Sequence, residues 1–291
     1  MKNINERDQS KGYIPLRLII RDKMIKRELK VNIKSFIIWL SILIGIFLIV
    51  YLIYPYIITD ESIKSMDELM EIFPEEVLKT FNMDITSIST AYGWFKTEGF
   101  MFILIIIGLY SSFLGGSILL KEENDKTIEY LVTLPVKRKN IVTNKIIASF
   151  IYIFLITLCL GIFNYISLKI SGDINTKQFV LLSLTPILIA YPLFSINLFI
   201  STFLHKNKKT IGISLGMVFI FYIISILSEI SSKVEFLKYF TIYTLADTRN
   251  VMMDMKINLN YNVISVLITV IFIIGTYYRY QKKELIWQRF I

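Results

Sequence analysis

Two adjacent carboxylates, Glu122 and Glu123, and a single histidine, His205, are the side chains of this sequence best suited to acid–base or metal chemistry. Paired glutamates occur in intramembrane proteases, but such sites also need histidines or other partners beside them in the membrane. His205 stands in a basic run with Lys206, Lys208 and Lys209, so a hydrolase of that kind is disfavoured. No GxxxxGK[ST] phosphate loop occurs, and the chain does not hydrolyse ATP by that route. The carboxylates between Asp60 and Glu98 are strewn along a polar stretch rather than gathered, which is how solvated helices look and not how a cation site looks. Cys159, the one cysteine, lies in an apolar run and has no partner for an intrachain disulfide. No catalytic, cofactor-binding or metal-binding residue is therefore assigned.

The elements that would position these residues are long apolar runs. The chain has 291 residues, 54% of them hydrophobic, and a mean hydropathy of +0.58. These values indicate an all-α polytopic membrane protein, because a span needs about 20 apolar residues to cross a hydrocarbon core of about 30 Å. Six spans are expected, at about 35–58, 100–120, 141–168, 179–204, 210–230 and 261–280, forming a transmembrane domain over 35–291. Before them, residues 13–34 place Leu16, Ile19, Ile20, Met24, Ile25 and Leu29 along one side of a helix and basic residues around the rest, the pattern of a helix lying in the membrane interface. No cleavable leader is read in this basic N-terminus. Between the first two spans, residues 59–99 keep a helical apolar stripe interrupted at Pro74, as a pair of short helices on the outer surface would.

Charge fixes the orientation. With both termini on one side, that side collects 23 of the 32 Lys and Arg, the bias expected of cytoplasmic loops. The net charge of +9 follows from these loops, and no nucleic-acid-binding signature accompanies it. Within the spans the polar side chains are neutral, Asn164 and Asn197 among them, and fit hydrogen bonding between helices. Gly108, Ser112 and Gly116 in the second span permit close helix packing. Gly212 and Gly216 open the fifth span as a GxxxG pair, a helix-pairing face that fits a dimer contact or packing within the chain. Pro186 and Pro192 predict a kinked or partly unwound fourth span.

The stretch 121–145, KEENDKTIEYLVTLPVKRKNIVTNK, alternates charge with a short apolar face: Ile128, Leu131, Val132 and Pro135 fall at i, i+3, i+4 and i+7. It resembles the first cytoplasmic loop of ABC-2 type transporter permeases, E-E-x-x-G-T-x-E-x-L-L-x-x-P-V-x-R, through Glu122, Glu123, Thr127, Glu129, Leu131, Pro135, Val136 and Arg138, with Lys126 where the family carries glycine. Residues 73–87, FPEEVLKTFNMDITS, are similar to the outer loop of one branch of the same family.

The resemblance implies that residues 122–138 form a coupling helix docked on a separate cytosolic ATPase, with Glu122, Glu123, Thr127, Glu129, Leu131, Pro135 and Arg138 as the coupling residues. It makes residues 13–34 an elbow helix, and the first and fifth spans the contact with a second permease copy, identical or not. ATP and Mg would belong to the partner ATPase, and the chain would work at the cell membrane with both termini in the cytoplasm. Uncharged spans suit export of an amphiphilic or hydrophobic cargo. The alternative is a secondary transporter or channel, which usually needs ionisable groups inside the membrane and, in many folds, inverted halves with broken helices.

Overall fold

The computed structural model describes residues 16–57, 90–125, 137–172, 174–230, 232–246 and 256–283, with a few isolated positions between them. Among these residues all regular structure is helical. Six helical segments are long and apolar enough to cross a membrane. In lipid each backbone N–H and C=O needs a partner within its own segment, which a helix supplies.

The first helix, α1, runs unbroken from Leu16 to Ile57. The expected division into an interfacial elbow over 13–34 and a span from residue 35 does not appear as two elements. No Gly or Pro stands between Leu16 and Ile44 to break the helix. Glu28 and Asn32 are buried against the bundle. The outer loop over 59–89, with the 73–87 motif, lies outside the described residues apart from isolated positions.

The second span opens with a single turn, α2 (Ala91–Trp94), capped by the Thr90 hydroxyl, which accepts from the Gly93 N–H at 3.0 Å. A π-helical turn at Phe95–Gly99 joins it to α3 (Phe100–Ile118). One further turn, α4 (Lys121–Asn124), follows, and the third span is α5 (Arg138–Ser171). The fourth span is divided, as its prolines predicted: α6 (Thr176–Leu184) ends at Thr185, and Pro186 begins α7 (Pro186–Ser201). Proline suits that first position because its missing N–H would have no partner there anyway. Pro192 is absorbed inside α7. The fifth span is α8 (Asn207–Ile230) and the sixth α9 (Leu259–Lys282).

The bundle is built around α7, which packs most extensively on α3 and then on α9; α1 lies along α5, and α8 along α3. Close approach depends on α3: a methyl group at Gly115 would collide with the Phe194 carbonyl, and one at Gly116 would come within 2.6 Å of the Thr210 side chain. Across this contact Ser214 Oγ donates to Asn197 Oδ1 at 2.7 Å, while Tyr51 donates to Asn164 Oδ1 at 2.8 Å between α1 and α5. Both asparagines thus bond between helices. The outer faces of α1, α8 and α9 present Ile38, Leu52, Ile220, Ile223, Ile271 and Ile274, a surface that suits lipid.

After α8 the chain forms a 3-10 helix at Ser232–Phe240 and another at Tyr243–Ala246. The Thr241 hydroxyl donates to the Phe221 carbonyl at 2.6 Å. Phe221 lies about 14 Å along the axis from the end of α8, so this segment re-enters beside the bundle, and Tyr243 is buried there against α3 at Gly108.

Candidate functional site

The turn α4, Lys121–Asn124, lies beside residues 28–32 of α1, where the ends of α3, α5, α7, α8 and α9 converge. Successive residues of a helix point about 100° apart, so four in a row sweep its whole circumference. Here each of the four takes a different neighbour. Lys121 Nζ donates to Asn32 Oδ1 at 3.0 Å and to the Val31 carbonyl at 3.3 Å on α1. Glu122 accepts from Lys145 of α5 at 2.6 Å. Glu123 accepts from Lys283, just beyond α9, at 2.8 Å. Asn124 Oδ1 accepts the Asn207 N–H at the start of α8 at 3.3 Å. The C-terminal end of α9 therefore lies at this basic end of the bundle.

Lys145 is the deepest charge. It is 1% exposed, and its ammonium donates to Glu122, to Glu28 Oε2 of α1 at 3.2 Å and to the Ile118 carbonyl at 2.8 Å. Three donors meet three acceptors, which leaves no N–H unmade. One cation facing two carboxylates joins three helices. Burial makes the loss of any one of these partners expensive.

Glu123, about 100° further round the turn, faces a different set of partners. Besides Lys283, its carboxylate lies 3.2 Å from His205 Nδ1 in the turn between α7 and α8. Lys283 also donates to the Leu204 carbonyl at 2.8 Å, while Arg138, at the start of α5, donates to the Lys283 carbonyl at 2.9 Å. Burial pushes the Lys283 ammonium below the usual lysine range, with its hydrogen bond to Glu123 opposing the shift. Burial also lowers Lys121; the carboxylates of Asp125, Glu28 and Glu122 oppose this, and neighbouring Lys145 adds to it.

Of the residues expected to couple to an ATPase, Glu122, Glu123 and Arg138 come together in this hub, with both carboxylates turned into the bundle rather than outward. Thr127, Glu129, Leu131 and Pro135 lie outside the described residues. Gly212 and Gly216 do not pack against other described residues: a methyl at either would meet none of them within 4 Å. Thr210 and Ser214 of the same helix are the residues turned towards α3.

Sequence reasoning missed Lys145 and Lys283, which it counted among the loop and tail charges, as well as Glu28, to which it gave no role. One signal was present in the sequence. Lys145 lies four residues inside the expected third span, where a lone charge requires a partner.

Comparison with curated proteins and with solved structures gave no match. A family model described as ABC-2 family transporter protein matches residues 23–285, from the first turns of α1 through the buried Lys283. The match takes in nearly the whole bundle and every residue of the hub, and the chain accordingly belongs to the ABC-2 family of transporter proteins.

Proposed function

We propose that this chain is the membrane-spanning subunit of an ATP-binding cassette exporter, in which two permeases work with two separate ATPase subunits. The basic end faces the cytosol. There the segment 122–138 receives the movement of the ATPase as it closes on ATP, and the α4 turn passes that movement to the spans. The observation that carries this reading is that one four-residue turn holds α1, α5 and the end of α9 through buried or half-buried polar contacts, and the start of α8 through an exposed one. A displacement of this turn cannot leave the bundle unchanged, since packed helices shift between discrete arrangements rather than deform continuously.

The outward glycines Gly212 and Gly216, on a helix whose apolar face is otherwise open, support a pairing face for the second permease on α8. The uncharged outer faces and the neutral polar groups inside suit an amphiphilic or hydrophobic cargo, moved outward.

The test is purification of the tagged chain from native membranes, with an ATPase assay on what accompanies it. A co-purifying ATPase that is lost or uncoupled by Glu129→Ala or Leu131→Ala is the expected result. A chain that purifies without any ATPase, yet moves solute into vesicles, would refute the proposal and make it a secondary transporter or channel.

A further inference from the structure

We infer that Glu122 and Glu123 divide the incoming movement between two halves of the bundle, and that Lys283 is the positioning residue through which Glu123 moves α9. This rests on the reading that the 122–138 segment is driven by an ATPase. Adjacent residues on a helical turn diverge by about 100°, and these two carboxylates use the divergence. Glu122 reaches Lys145 of α5, which also holds Glu28 of α1, and α1 and α5 pack on each other. Glu123 reaches Lys283 and His205, at the end of α9 and in the α7–α8 turn, and α7 and α9 pack on each other. Each carboxylate thus addresses one packed group of helices.

The burial of Lys283 argues against a merely orienting charge. A lysine that only set topology would extend into water or headgroups, but this one is 4% exposed. Its cation is fixed between Glu123 and the Leu204 carbonyl, and its own carbonyl is held by Arg138. Severing Lys283 from Glu123 leaves His205 beside the carboxylate, and severing Glu122 from Lys145 leaves Glu28 and the Ile118 carbonyl on the ammonium. Either link can be removed without leaving its remaining partner alone.

The experiment reads the two halves separately and needs no cargo. In a Cys159→Ala background, single cysteines are placed at Tyr56, at the far end of α1, and at Leu259, at the far end of α9, both highly exposed. Their reaction rates with a water-soluble maleimide are compared in the ATPase-loaded complex with ADP and with ATP plus vanadate. In the parent complex the nucleotide state changes both rates, by about fivefold or more if the coupling is of ordinary size.

Lys283→Met is expected to abolish the change at position 259 and keep it at 56; Glu122→Gln does the reverse. Lys283→Arg, which keeps the charge, and the exchanged pair Glu123→Lys with Lys283→Glu restore the response at 259, which a structural staple alone would not predict. Loss of both responses together in each variant, or of neither, overturns the division. A parent complex that retains its ATPase but changes neither rate overturns the coupling reading itself and this inference with it.

Discussion

Replacing Lys145 by methionine is the most direct test of the hub. Methionine has nearly the length of the lysine stem and no charge, so the change removes the ammonium while keeping the packing. It leaves the Glu122 and Glu28 carboxylates, 7% and 5% exposed at their side chains, facing each other without a cation, and it strands the Ile118 carbonyl. Removing one partner of a buried ion pair costs about 3–5 kcal/mol, since an uncompensated charge remains. For a chain of this size that corresponds to a drop on the order of 10 °C in the melting midpoint.

The triple variant Lys145→Met, Glu28→Gln, Glu122→Gln should recover most of that loss. It removes the desolvation penalty along with the attraction, and uncharged replacements of whole buried networks are often neutral or stabilising. Melting of detergent-solubilised protein, followed by tryptophan fluorescence, reads both effects. A single variant that melts with the parent, or a triple variant less stable than the single one, would refute the reasoning. Only the latter result would mean that the network holds the bundle together rather than sets its arrangement.

Two further outcomes follow from the geometry. Gly115→Ala should destabilise by about 1–3 kcal/mol through overpacking against the Phe194 backbone, whereas Gly212→Ala should leave the melting of the isolated chain unchanged and alter only pairing between chains, as size-exclusion of the two variants would show. Lys283, whose ammonium lies below the usual lysine range, should lose its proton before exposed lysines as pH rises. In that window the unfolded chain holds more protons than the folded one, so the group's contribution to stability rises with pH even as the ion pair to Glu123 is lost. Comparison of parent and Lys283→Arg melting between pH 8 and 10 isolates this term, because arginine does not titrate there; parallel curves would contradict the shift.

The sequence by itself determined the membrane character and the number and order of the spans, because length and hydropathy are local quantities and lipid leaves a chain few ways to satisfy its backbone. It also marked the division of the fourth span, since Pro186 cannot donate a hydrogen bond wherever it is placed. Asn164 and Asn197 were legible as helix-pairing residues for a similar reason: an amide in an apolar run must find a partner. The burial of Glu28 and Asn32 was not legible, because amphipathicity says which side of a helix is polar and not what covers it; α5 and Lys121 lie beside them.

Only the tertiary structure could decide the pairing of charges. Glu28 and Lys145 are 117 residues apart and Glu123 and Lys283 are 160 apart, separations that no periodicity spans. Which carboxylate meets which cation depends on how α1, α5 and α9 converge on one helical turn. That convergence is set by packing around α7, where Gly115 lets two backbones approach, and not by any property of the charged residues themselves.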